Sequence, residues 1–248
     1  MSVHELLPLG GRPALERARR EPLSYAVRCV IAPGPRPRVV VILGEAHLKL
    51  QAASALGKQV VSRFELRGVE TFQTRRIAAG RLLGFLIHAP RNVLRALSLG
   101  MIKGSTITEA KAIETGHTDE LERTDAVPVA LHVASVYLAA FFAVFWSYFF
   151  LNLGGIEIPW LRLLVIVFEV HLLALVPAYL LRGRPWAWLI HPAVALLTAR
   201  DMIMAEGTVR MLREHPEPTA AVVVMGRAHL AGYERELVEK HGFERAEL

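Results

Sequence analysis

Hydrophobic positions along this chain follow two different rules. Toward both ends, short β-branched runs alternate with polar stretches. Between them lies a long block with almost no polar residues. Residues 1 to 22 are polar, with one short helix expected near Ala14 to Arg20. Ser24 to Ala32 and Arg38 to Leu43 read as strands joined at Pro33-Gly34-Pro35, hence a hairpin. Leu48 to Phe64 has apolar residues at helical spacing, and Leu66 to Glu70 is a short strand ending on a carboxylate. Thr71 to Leu99 reads as a basic amphipathic helical stretch, broken near Pro90, that could lie on a membrane surface or pack on the sheet. Thr106-Ile107-Thr108-Glu109 fits a capping box and starts a helix, and the acidic stretch Asp119 to Asp125 closes this part. After the apolar block, Pro185 to Glu214 reads as the start and body of one long helix, ended by Pro216 and Pro218. A buried strand Ala220 to Met225 follows, then a helix His229 to His241 with Gly242 as C-cap, and a last edge strand within Phe243 to Leu248.

The apolar block predicts two membrane spans. No charged residue occurs from Ala126 to Ile156, and Trp160 to Leu181 contains only Arg162 and Glu169. About 20 apolar residues suffice for a helix to cross a bilayer. The spans are placed at Pro128 to Leu151 and Trp160 to Leu181, with Trp146, Tyr148 and Trp160 near the flanks of a connector holding Gly154-Gly155 and Pro159. A helical hairpin returns the chain to the side it left. The expected fold class is therefore α/β, a central mixed sheet flanked by helices with an inserted transmembrane helical hairpin. Residues 1–127 and 183–248 would be two halves of one soluble domain, and 128–182 the hairpin.

Composition sharpens this picture. The chain is 53% hydrophobic with mean hydropathy +0.34, and its net charge is +6. The basic residues are scattered without aromatic interleaving, which argues against nucleic acid. Arg182, Arg184 and the upstream arginines instead place the soluble domain and both ends in the cytoplasm, at an inner or plasma membrane. The lone Cys29 excludes an internal disulfide and a cysteine zinc site. Residues 1 to 20 carry charges throughout, and no secretory leader is expected from them.

The candidate chemistry sits on a repeated unit. Gly44-Glu45-Ala46-His47 follows the run Val39 to Leu43, and Gly226-Arg227-Ala228-His229 follows Ala221 to Met225. Each reads as a buried strand ending in glycine, then a histidine at the mouth of a helix. Ligands of open α/β sheets bind at the carboxyl ends of strands, so both imidazoles point to one shared site. Because two spans separate the copies, both remain on one side of the membrane.

The paired units, Glu70 in Gly68-Val69-Glu70, and Arg200-Asp201 followed by Met204-Ala205 resemble the TraB/PrgY family. That family belongs with the TIKI proteases, and more distantly with erythromycin esterases and haem-binding ChaN-like lipoproteins. The matching residues run in the expected order over most of the chain, although no Ile-Asp-Arg-Asp motif occurs between Glu70 and the first span. The resemblance implies a membrane-bound, metal-dependent hydrolase of peptidase type, using Mn, Co or Zn ions, with a peptide as substrate or signal. The main rival is a protein that sequesters a peptide or signal without cleaving it, and a second, by distant likeness, is a haem or metal binder without turnover. Within it, His47, His229 and Glu70 are the candidate metal ligands. Glu70 or Glu45 is the candidate general base, Arg200 the stabiliser of a developing oxyanion, His229 a ligand or catalytic group, and Asp201 a holder of Arg200 or a histidine. Gly44 and Gly226 shape the turns. The lipid bilayer is the expected partner, with a homo-oligomer as a further option.

Two residues within the second span, Glu169 and His171, mark either a substrate or proton path or an interhelical hydrogen bond. A transporter-like assembly would require the former. His88, His117, His191 and His215 show no partner pattern.

Overall fold

The structure is a computed structural model that describes residues 3–46, 49–71, 76–86, 102–103, 106–184 and 186–248. It divides into two compact units. The first comprises Met1–Phe72, Arg95–Arg123 and Asp201–Leu248; the second comprises Gln73–Leu94 and Thr124–Arg200. Residues 183 to 200 group with the apolar helices rather than with the C-terminal strand and helix.

The first unit is built on a six-stranded sheet in the order β6-β4-β7-β2-β1-β8. Its strands are β1 (Tyr25–Ala32), β2 (Arg38–Glu45), β4 (Leu66–Val69), β6 (His117–Glu120), β7 (Ala220–Gly226) and β8 (Glu244–Ala246). A separate two-residue pairing joins β3 (Lys49–Leu50) to β5 (Ile102–Lys103). β6, β4, β7 and β2 run parallel. β1 turns back on β2 as the expected hairpin, and β8 adds antiparallel to β1. The sheet is therefore mixed. The strand β6 was not expected, because His-Thr-Asp-Glu has no apolar alternation; its backbone pairing with β4 determines it.

Strand periodicity sorts the central runs onto two faces. Val39, Val41, Leu43, Val222 and Val224 pack on one side with Leu15, Val60, Val61 and Phe64. Leu15 comes from α1 (Gly11–Arg19), Val60 and Val61 from α2 (Gln51–Val61), and Phe64 from the turn that follows it. Val40, Ile42, Val223 and Met225 face the other side with Met204, Met211, Tyr233 and Leu237. A strand buried on both faces has no polar alternation to display, which is why β2 and β7 read as continuous apolar runs.

The capping box at Thr106 takes a different form from the one expected. α3 spans Thr106–Lys111 with Thr106 as its first helical residue. The Thr106 amide donates 2.8 Å to the Glu45 carboxylate, and its hydroxyl lies 3.2 Å from the Tyr25 hydroxyl.

The second unit contains α4 (Val129–Leu153), α5 (Pro159–Leu172) and α6 (Leu175–Leu180). The stretches Val129–Leu153 and Pro159–Leu180 are each long and apolar enough to cross a membrane, and only 22% and 11% of their most apolar windows are buried. At about 1.5 Å per residue, α4 exceeds the ~30 Å hydrocarbon thickness. Edge-to-face contacts of Phe168 with Tyr137 and Phe141 join α4 to α5. The turn between α5 and α6 follows from Pro177, which has no N–H for the Leu173 carbonyl. The preceding turn tightens instead, with Leu173 and Ala174 amides bonding Val170 and His171 carbonyls at 3.1 and 2.9 Å.

The single long helix expected over Pro185 to Glu214 is corrected. A short helix Ala187–Ile190 ends at His191, which is extended (φ −148°, ψ 113°) because it precedes Pro192. A 3₁₀ turn Pro192–Val194 then leads into α7 (Ala195–Glu214). Of the basic stretch expected over Thr71 to Leu99, residues 80–86 are helical; Arg75, Arg91, Arg95 and the break at Pro90 lie outside the described residues.

Candidate functional site

In the first unit the two Gly-x-x-His units begin on adjacent parallel strands. The register pairs Gly44 with Met225 and Glu45 with Gly226. Both strands therefore end at the same edge of the sheet, and β4 ends beside them with Val69 paired to Val224. This is the carboxyl edge where α/β sheets hold their ligands.

Glu70 is fixed there by its own backbone and side chain. Its amide donates to the Val224 carbonyl at 3.0 Å, and its Oε2 accepts from the Gly226 amide. The first contact continues the β4–β7 ladder by one residue; the second ties the carboxylate to the glycine of the second unit. Its other oxygen, Oε1, lies 3.6 Å from His229 Nε2.

His229 comes from the 3₁₀ turn Arg227–His229, which leads directly into α8 (Leu230–His241). Its Nδ1 lies 2.7 Å from Asp201 Oδ1, on α7. An ionised carboxylate only accepts, so Nδ1 carries the proton of this contact, and Nε2 faces Glu70. All three groups are enclosed, with side-chain exposures of 5% for His229, 4% for Asp201 and 9% for Glu70. The 3.6 Å separation is too long for a hydrogen bond. It is close to the spacing of two donors on one ion, each about 2.0 to 2.2 Å from it.

Two glycines make the arrangement possible. A Cβ on Gly44 would lie 2.5 Å from Leu230 Cδ1, so a side chain there would displace Leu230 at the start of α8. A Cβ on Gly232 would lie 1.8 Å from Asp201 Oδ2, so α8 seats that carboxylate directly on its backbone. Gly232 carries no sequence signal beyond being a glycine within a helix, and the motif reading missed it.

The other expected site residues fall differently. Glu45 is fully buried and caps the N-terminus of α3 through the Thr106 amide, a favourable place for a carboxylate. Arg200 is 9% exposed and immediately precedes Asp201 on α7. His47 lies outside the described residues. Asp201, expected to hold either Arg200 or a histidine, holds His229.

In the second unit, His171 Nδ1 lies 2.7 Å from the Tyr137 hydroxyl, joining α5 to α4 as the interhelical hydrogen bond expected as one alternative. Tyr137 also reaches His191 Nε2 at 3.4 Å, and the two imidazoles stack with centroids 4.7 Å apart. His191 Nδ1 accepts from the Ala193 amide at 3.2 Å. Burial, with the neighbouring His171, holds His191 below the ordinary histidine range. Glu169 is exposed. The histidines read as lacking partners are thus partnered at 191, and also at 117 and 215, whose rings stack at 4.2 Å.

Compared with family models, curated proteins and solved structures, the chain matches none.

Proposed function

We propose that this protein is a membrane-bound, metal-dependent hydrolase of TraB type, acting on peptides at the carboxyl edge of its sheet. The observation that carries the reading is the buried Asp201–His229–Glu70 line, with His229 Nδ1 at 2.7 Å from one carboxylate and Nε2 at 3.6 Å from the other. The donor chemistry fits a divalent Mn, Co or Zn ion. A carboxylate behind a histidine's far nitrogen is the usual support for a metal-bound imidazole. His229 Nε2 and Glu70 Oε1 would hold the ion, with His47 as the further ligand that the repeated motif supplies.

When bound, such an ion polarises a carbonyl and lowers the pKa of its water. Asp201 keeps the His229 proton on Nδ1 and fixes the ring plane. The Gly226 amide holds one Glu70 oxygen, so the other is directed at the histidine. Glu70 can take a proton from an attacking water if it is not consumed as a ligand. Glu45 serves as the α3 cap that supports the first unit's strand end. Burial of the cluster strengthens each of these interactions relative to water.

The two exposed apolar stretches support integral membrane insertion. α4 is apolar all round, and a helix of that kind is either buried in protein or embedded in lipid; little of it is buried. The paired arginines after the second stretch support a cytoplasmic placement of the α/β unit.

The test uses the full chain purified in detergent. Metal content and cleavage of a peptide mixture are measured for the unmodified protein, Glu70→Gln and His229→Ala. Loss of both signals in both variants is expected. Undiminished cleavage in both would overturn the hydrolase. Peptide binding without cleavage in the unmodified protein would transfer the site to sequestration, and a Soret band would transfer it to haem.

A further inference from the structure

A second cluster of metal-binding side chains lies in the first unit, away from the carboxyl edge. β6 begins at His117, opposite Leu66 at the start of β4. α7 runs the other way, from Asp201 beside His229 to Glu214 at its end. The thirteen residues between Asp201 and Glu214 span about 20 Å of helix. Asp119, Glu214 and His215 meet there, each offering one donor atom, and these three atoms all lie within 4.8 Å of one another.

Three features distinguish this group from an ordinary surface pair. Asp119 Oδ2 is enclosed and makes no hydrogen bond among the described residues, a costly state for a carboxylate oxygen. His215 Nε2 faces it at 3.4 Å. That is long for a charge-assisted hydrogen bond, but two donors about 2.0–2.1 Å from one ion at the tetrahedral angle are separated by about 3.4 Å. Finally, His215 is held in place from both sides. Its amide bonds the Met211 carbonyl at 3.0 Å, and its carbonyl accepts from Arg38, whose other donors hold Leu212 and Pro218 carbonyls. His117 stacks on its ring with an interplanar angle of 25°, so the stacked ring orients His215 rather than converging on the same point. Of the nearby charged groups, Lys111 is taken by Glu120 at 2.6 Å, and Arg210 by the carbonyls of Arg123 and Glu120.

We propose that Asp119, Glu214 and His215 bind a divalent transition-metal ion of the Zn or Co class, which staples the short edge strand β6 to the end of α7. One imidazole and two carboxylates suit such ions, with water completing the coordination. The consequence for β6 is physical: a four-residue edge strand with one neighbour gains a second attachment, and an ion that binds only the folded chain stabilises it by mass action.

The site is separable from the one in the preceding proposal. Metal-free full-length protein in detergent is titrated with Co²⁺, following the visible absorption of the bound ion, and then with Zn²⁺ as competitor. The His229→Ala protein is expected to retain one equivalent. Asp119→Asn or His215→Gln introduced into that background should remove it, and with it the zinc-dependent rise in melting temperature. X-ray absorption at the zinc held by the His229→Ala protein should show one imidazole and otherwise oxygen ligands; this reading does not depend on the second variants folding. No metal bound by His229→Ala would leave Asp119 and His215 an ion pair only and overturn the site. Unchanged stoichiometry in the two double variants would do the same.

Discussion

Asp201 and His229, 28 residues apart in sequence, meet at 2.7 Å in a buried contact between α7 and the turn that opens α8. The contact explains why a carboxylate belongs at position 201. It has no strand to terminate and no helix to cap; it determines which nitrogen of His229 carries the proton. Replacing it with asparagine keeps the shape and removes the charge. Asp201→Asn is expected to lower metal affinity of the carboxyl-edge site about 10- to 100-fold, the range found for outer-shell partners of histidine ligands. Competition with a chelator measures this. An unchanged affinity would assign Asp201 to packing alone.

Gly232 supplies a second test of the same contact. In an ordinary helix interior, replacing glycine by alanine stabilises by roughly 0.5–1 kcal/mol. Here the added methyl would lie 1.8 Å from Asp201 Oδ2. Gly232→Ala is therefore expected to act with the opposite sign, costing about 1–3 kcal/mol as overpacking does, and to reduce activity by displacing Asp201 from His229. A thermal melt and an activity assay read the two effects. A gain in stability would mean that the helix end relaxes freely and that the carboxylate is not seated there.

The sheet and the apolar helices were legible because each obeys one strong local rule. β2 and β7 are continuous β-branched runs, and α4 is an uncharged stretch of spanning length. The glycines at their ends and His229 after them follow from the same pattern. What was hidden depends on partners distant in sequence. β6 is polar and exists because β4 pairs with it. Asp119 and His215 come together only when α7 runs antiparallel to that strand. The broken helix near His191 is a different kind of miss: the apolar periodicity continues across Pro192, but the proline forces His191 out of the helical region.

Burial pushes the Cys29 thiol up to about 12, with Arg19 offsetting part of the effect. Alkylation proceeds through the thiolate. At pH 8 the folded protein is therefore expected to react with iodoacetamide at least about a hundredfold more slowly than the denatured chain. The linkage sign is also determined. Between pH 9 and 12 the unfolded thiol has lost its proton while the folded one keeps it, so the unfolded state binds fewer protons and stability falls as pH rises. Below about pH 7.5, where both states keep the proton, this group contributes no pH dependence. Equal alkylation rates before and after denaturation would contradict the enclosed thiol.

An unreactive Cys29 makes the membrane topology measurable with single introduced cysteines. Two crossings predict that the connector between α4 and α5 faces one side, while positions in the α/β unit face the other. Gly155 has open space around it and a left-handed backbone (φ 72°), so a cysteine there is strained but reachable. Arg12 and Glu239 are exposed on helices of the α/β unit. In intact cells, a membrane-impermeant maleimide is expected to label Gly155→Cys, and to label Arg12→Cys and Glu239→Cys only after permeabilisation. The reason lies in the parity of crossings. An even number returns the chain to its starting side, so β2 and β7 can form adjacent strands of one sheet; an odd number would place their residues in different compartments. Labelling of Arg12→Cys and Glu239→Cys from opposite sides would therefore contradict both the two-span insertion and the parallel pairing of Glu45 with Gly226. Labelling of Arg12→Cys and Glu239→Cys, but not Gly155→Cys, without permeabilisation would reverse the orientation while leaving the sheet intact. Recovery of the protein in the soluble fraction after a carbonate wash would remove the bilayer from the account, and α4 and α5 would then require another protein surface to cover them.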